Sequence, residues 1–154
     1  MIRSESEYQK AVNRLEEEKS VMKRQREHFL DLGHTGEELE RLMQPLISFH
    51  KQLEEEVEAY EKMKRGSLGA LRELTNIGRW LIGTRIALCM SQKEFAEALG
   101  VSEAQVSRDE RNEYHGITTD KAQRILETFN IRFIAEIDEP ISKSKMNNDP
   151  LIPA

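Results

Sequence analysis

Apolar side chains recur at helical spacing through most of the chain. Tyr8, Leu15, Met22 and Phe29 stand seven residues apart, with Ala11 between them, in a run otherwise rich in Glu, Lys, Arg and Gln. Those residues are good helix formers, and the spacing predicts one helix from Ser4 to about Asp31. Ser4 is the expected N-cap, with Glu7 three residues on completing a capping box. Gly33-His34-Thr35-Gly36 ends this helix, and Thr35 or Gly36 starts the next, with Glu37 and Glu38 favourable in its first turn. A second stripe, Leu39, Leu42, Leu46, Phe49, Leu53, Val57, Tyr60 and Met63, advances in steps of three and four. Pro45 lies within it, either in the first turn of the longer helix or kinking a continuous one. Gly66-Ser67, preceded by Lys64 and Arg65, ends the stripe.

Together these segments predict an antiparallel helical hairpin, of coiled-coil type, over residues 1–66. Two helices bury little by themselves. Their apolar seam therefore pairs with another copy or packs on the C-terminal part of the chain. After Gly69, Leu71, Ile77, Leu81, Ile82 and Ile86 predict a helix ending near Cys89. Ser91, with Glu94 three residues later, caps a helix from Gln92 to Leu99 that buries Phe95, Ala96 and Leu99. Gly100 is the turn residue. Ser102 caps a third helix, Glu103 to about Arg111, with Gln105 at the capping-box position and Val106 inward. A looser stretch follows over Asn112–Thr118. Thr119 then caps a helix that buries Ala122, Ile125, Leu126 and Phe129. Ile131, Phe133, Ala135 and Ile137 alternate with Arg132, Ile134, Glu136 and Asp138, which reads as a short strand needing a partner edge. The expected organisation is a hairpin at 1–66, a globular unit at 69–138 and a flexible tail at 139–154.

Composition changes this picture in one respect. The 154 residues are 38% hydrophobic and 33% charged, which is polar for a single globule and favours a modest core with an elongated helical part. No apolar run approaches the roughly 18 residues that span a bilayer. The N-terminal MIRSESEYQK lacks a signal-peptide core. The one cysteine, Cys89, excludes an internal disulfide framework and fits a reducing compartment, so the expectation is a cytoplasmic protein. Net charge is −5, but it is unevenly spread. Residues 1–68 hold twelve basic and fifteen acidic side chains, residues 69–135 nine of each, and the remainder two and four.

The stretch MSQKEFAEALGVSEAQVSRDE, from Met90 to Glu110, carries the functional reading. A short helix crossed by another needs a small residue at the crossing, which Ala96 supplies. The sharp turn needs a residue tolerant of positive φ, which Gly100 supplies. Phe95, Leu99, Val101 and Val106 close a small core. The second helix then projects its outer face, and Ser102 leaves its N-terminus open to a phosphate; such a helix fits a DNA major groove.

With these residues the chain resembles the lambda/434-repressor-like (Cro/C1, XRE-type) helix-turn-helix family over about residues 72–131. The matching positions are Gln92, Ala96, Gly100-Val101-Ser102, Val106 and Glu110. The resemblance implies a buried ion pair between Arg85 and Glu110. It also carries the base-facing positions onto Glu103, Ala104, Ser107 and Arg108, with Gln105 close by. Arg108 is the strongest base reader, because its fork can donate two bonds to guanine O6 and N7. Ala104 suits a thymine methyl and Glu103 a cytosine amine. The plainer readings are a solvated helix residue for Arg108 and a helix-dipole partner for Glu103. Gln92 and Ser102 at helix N-termini, with Lys93, Arg111 and Lys121, are the expected phosphate contacts. The chain departs from the family at Asp109, where an apolar residue is usual, and in RNEYHGITT, which replaces a short Gly-containing turn. Tyr114 of that loop either covers the core or lies partly exposed. The two-helix segment in front also resembles, in layout, antitoxins of the HigA kind and prophage regulators.

Little points to catalysis. His28, His34, His50 and His115 have no metal spacing, the carboxylates lie on charged helix faces, and no Gly-rich nucleotide loop is present. Cys89, at the end of an apolar helix, reads as a core residue, and His50 as flanking the hairpin seam beside Phe49. The expectation is an all-α, non-enzymatic protein with no cofactor and no bound metal. It is either a homodimeric repressor of its own gene reading an inverted repeat in double-stranded DNA, or an antitoxin-like adaptor whose N-terminal helices hold a toxin-like protein.

Overall fold

A computed structural model describes residues 1–135. These form six α-helices in order: α1 Glu5–Asp31, α2 Gly36–Lys64, α3 Ile77–Ala87, α4 Gln92–Leu99, α5 Glu103–Arg111 and α6 Thr119–Thr128. A single 3-10 turn, Leu74–Asn76, leads into α3. The fold is all-α. Residues 131–135 carry no strand, and the remainder of the expected strand and the tail from 139 lie outside the described residues.

Helices α1 and α2 pack against each other as an antiparallel hairpin, and α2 packs in turn on α3. Ser4 caps α1, its side chain accepting from the Glu7 N–H at 3.2 Å, while the Glu7 carboxylate reaches one residue further back, to the Arg3 N–H at 2.8 Å. Pro45 sits inside the continuous helix α2. Its missing N–H leaves one turn short of a hydrogen bond, and packing against α1 holds that turn in place.

The seam of the hairpin keeps Leu39, Leu46, Leu53, Val57 and Tyr60 of the expected stripe but takes Met43 and His50 in place of Leu42 and Phe49. Leu39, Met43, His50, Val57 and Tyr60 are buried, whereas Leu42 and Phe49 are 39% and 65% exposed. Stepping alternately by four and three from Leu39 leads through Met43, Leu46, His50, Leu53, Val57 and Tyr60. The same rule on α1 leads from Tyr8 through Ala11, Leu15, Glu18, Met22 and Gln25 to Phe29. The two series face each other: Tyr8 stacks on Tyr60 with ring centroids 5.1 Å apart, Glu18 meets His50, and Arg26 meets Glu40 on the flank.

At its base the hairpin does not stand apart. Ile2, Ala11, Leu15, Val57 and Tyr60 join Leu81, Ile82, Ile86, Phe95, Val106, Ile125 and Leu126 in one buried cluster. Burial of apolar surface contributes about 25 cal/mol per Å2, so this shared core, more than helix propensity, holds the short helices α3–α6. The stripe therefore packs partly on the C-terminal helices, the second of the two outcomes the sequence left open. The distal half projects, with Val21, Leu30, Leu32, Leu42 and Phe49 exposed.

Three further boundaries are corrected. Helix α3 begins at Ile77, because Gly69 turns at φ 68° and Leu71 packs half-buried from non-helical chain. Cys89 is exposed at φ 55°, two residues beyond the end of α3, so it is not a core residue. Thr118, not Thr119, caps α6, its hydroxyl accepting from the Lys121 N–H at 3.3 Å.

Candidate nucleic-acid interface

The pair α4–α5 is built from local rules. Ser91 and Glu94 form a reciprocal capping box: the Glu94 N–H donates to the serine hydroxyl, and the Ser91 N–H donates to the Glu94 carboxylate at 2.8 Å. Those donors hold the Glu94 carboxyl below the usual carboxylate range. Gly100 ends α4 in the left-handed region at φ 70°, and Val101 N–H closes back onto the Ala96 carbonyl. Ala96, 2% exposed, lets the two helices cross closely, and Phe95 stacks at 4.8 Å on Phe129, the C-cap residue of α6.

Beneath this pair lies a buried ion pair. Arg85 is 3% exposed and Glu110 is fully buried. The guanidinium donates from Nε to Glu110 Oε1 at 2.6 Å and from Nη2 to Oε2 at 2.8 Å, the two-pronged geometry that only arginine offers. Two further bonds hold it, from Nη1 to the Met90 carbonyl at 2.6 Å and from Nη2 to the Arg3 carbonyl at 2.7 Å. Gln92 Nε2 donates to Glu110 Oε2 at 2.8 Å, so one of its two amide hydrogens is committed inward. Among the described residues no buried side-chain nitrogen or oxygen is left without a partner. Four segments of chain therefore meet at this charge pair.

Helix α5 turns its other side outward. Glu103, Ala104, Gln105, Arg108 and Arg111 are exposed and Ser107 is half-buried. The spacing of 103, 104, 107, 108 and 111 puts these on one face. Ser102 caps the helix, its Oγ accepting from the Gln105 N–H at 3.2 Å, with its own hydroxyl hydrogen free to donate. Lys93 is exposed at the start of α4, beside Gln92. Residues 69–135, which include this face, hold nine basic and nine acidic side chains and so carry no net charge. A cleft of about 460 Å3 separates the face from the hairpin base, lined by Ser4, Glu5, Tyr60, Lys64, Ser91, Gln92 and Glu103 among others.

Lys121 is not part of that face in the same way. Its ammonium bonds Asp109 Oδ2 at 2.6 Å and lies 5.9 Å from the Tyr114 ring centre. This explains Asp109 at an otherwise apolar position: it reaches the gap between α5 and α6 and is neutralised there. Tyr114 is buried, and burial, reinforced by the charges of Glu110 and Asp109, raises its phenol well above the usual range. To bury it, Glu113 and Tyr114 both adopt positive φ, at 49° and 53°, with Glu113 held by Arg79 at 2.7 Å. The residues that sequence reasoning missed are Ile2 and Arg3, for which no local signal exists.

Residues 84–134 match a protein-family model described as Helix-turn-helix. A helix-turn-helix domain is present here. The matched segment spans Thr84 and Arg85 of α3 through α4, α5 and α6, and thus contains the buried pair and the outward face of α5. No curated protein and no solved structure matches the chain. The helix-turn-helix assigns a DNA-binding, regulatory role in general terms, and domains of this type are non-catalytic. Among the described residues no group of three or more His, Cys, Asp or Glu is placed to hold a metal ion, and no helix is long and apolar enough to cross a membrane.

Proposed function

We propose that the chain is a sequence-specific transcriptional regulator that acts in the cytoplasm as a homodimer on an inverted repeat, repressing its own gene. The observation that supports this most is the exposed face of α5 within the helix-turn-helix. Glu103, Ala104, Gln105, Ser107 and Arg108 are available to base edges there, with Gln92, Lys93, Ser102 and Arg111 at the phosphates. Residues 69–138 serve as the DNA-binding unit and residues 1–66 as the oligomerisation or partner-binding segment. Because residues 69–135 carry no net charge, two heads on half-sites about 34 Å apart supply affinity that one head lacks. The helix-turn-helix resembles the lambda/434-repressor-like family, and the two-helix segment in front of it resembles, in layout, HigA-type antitoxins and prophage regulators. The test is titration into labelled DNA from upstream of the gene, beside a scrambled duplex, at about 0.15 M salt. Preference for the native duplex is expected; equal binding to both overturns the reading.

A second reading has its own motivation. Val21, Leu42 and Phe49 are exposed on the projecting half of the hairpin, at 41%, 39% and 65%. Such side chains suit an antitoxin-like adaptor that holds a toxin-like protein, with DNA binding secondary. Replacing Phe49 with Glu should then release a co-purifying partner while leaving DNA binding intact; a partner that stays bound rejects this adaptor.

A further inference from the structure

Residues 2–4 link the hairpin to the reading helix. Ile2 is buried in the shared core, the Arg3 carbonyl accepts from Arg85 Nη2 at 2.7 Å, Arg3 Nη1 reaches the Glu110 carbonyl at 3.4 Å, and Ser4 caps α1. Three successive residues thus touch the core between the helices, the guanidinium that grips α5, the last turn of α5 itself and the start of the hairpin. The Glu110 carbonyl already accepts from the Glu113 N–H at 3.0 Å, so Arg3 adds a second, longer bond at the C-terminal end of α5.

We propose that Ile2–Ser4 form a strap that positions α5, so that the set of the hairpin is transmitted to the base-reading face through Arg3, Arg85 and Glu110. Ile2 and Arg3 are positioning residues in this scheme: they are separated from the outward face by the helix they hold. The strap gives the hairpin a mechanical hold on DNA reading that the helix-turn-helix segment, residues 84–134, does not contain. The part of the proposal that concerns DNA rests on the reading above.

The test uses the full chain with Ile2→Ala, which frees the strap, and Ile2→Val, which keeps its anchor. A smaller folded fraction lowers affinity for specific and random DNA by one factor. A displaced α5 lowers only the specific affinity. The expected result for Ile2→Ala is a fall of about fivefold in the ratio of specific to random affinity, the scale of one net hydrogen bond, with the ratio restored in Ile2→Val. An unchanged ratio overturns the strap. If the parent chain shows no sequence preference, the DNA reading has failed and amide exchange decides the strap separately. Ile2→Ala should then speed exchange of the Asn112 and Val106 amides relative to those in the projecting half of α1. Exchange that rises equally in both places, or in neither, overturns it.

Discussion

Glu18 of α1 and His50 of α2 face each other across the hairpin seam, with the carboxylate Oε2 3.3 Å from the imidazole Nδ1. The opposite ring nitrogen lies 3.3 Å from Glu54 Oε1 on the same helix. His50 is buried, and both of its polar atoms are met by carboxylates. A polar layer in an apolar seam costs stability and specifies register, because a slipped pairing would strand these groups against Leu or Met. Replacing His50 with Leu should therefore leave the chain as stable or raise its stability by roughly 1 kcal/mol, since Glu18 keeps its bond to Arg14 at 2.8 Å. Urea unfolding checks this, and a marked loss would mean the layer contributes stability and not only register.

The Arg85–Glu110 pair behaves in the opposite way. Arg85→Met leaves a fully buried carboxylate facing Gln92 alone and also strands the Met90 and Arg3 carbonyls. Breaking one side of a buried pair costs roughly 3–5 kcal/mol. Arg85→Lys should recover only part of this, because an ammonium cannot span both carboxylate oxygens and two carbonyls. Thermal unfolding followed by the fluorescence of Trp80 measures both variants.

Gly78 marks where α3 passes closest to the loop after α5. A Cβ on Gly78 would overlap the backbone carbonyl of Glu113, which cannot swing aside. At Gly83 the nearest obstacle is the Leu68 methyl at 2.6 Å, the far end of a flexible side chain. Gly78→Ala should therefore destabilise by several times as much as Gly83→Ala in parallel denaturant titrations. Equal effects would show that the 112–118 loop yields easily.

The cap of α4 should depend on pH. Bonds from the Ser91 N–H and hydroxyl lower the Glu94 carboxyl in the folded chain. Its stabilising contribution is thus complete above the unfolded value of about 4.3 and fades as pH falls through the lower folded value. An NMR titration should place Glu94 below an ordinary glutamate, and Glu94→Gln should remove the acid-side loss at the Ser91 amide. A titration at the ordinary value would contradict the box.

At the outward face of α5, Arg108→Ala should cost about 1–3 kcal/mol at the preferred DNA site and much less on random duplex. Competition binding separates the two. Equal losses would make Arg108 a phosphate contact.

Helix existence was legible wherever the cause is local. Ser4, Ser91 and Ser102 cap the helices that follow them, and Gly100 ends α4, because each acts on backbone within four residues. Two positions of the α2 seam were less legible. Leu42 and Phe49 are more apolar than Met43 and His50, yet the latter pair is buried, because α1 selects the line that alternates by four and three, whatever stands on it. Thr118 and Thr119 are adjacent and chemically alike. Which of them caps α6 follows from Ile117 being drawn against the core.

The helical periods, the caps, the turn at Gly100 and the helix-turn-helix pattern could be read from the chain alone, because interactions between near neighbours set them. Long-range packing brought the hairpin base into one core with the reading head. It alone decided that Lys121 turns to Asp109, that Tyr114 is buried at the expense of two left-handed residues, and that the Arg3 carbonyl completes the shell of Arg85. Arg3 and Arg85 lie 82 positions apart. A backbone carbonyl is common to every residue, so no side-chain pattern can announce which one a distant guanidinium will choose.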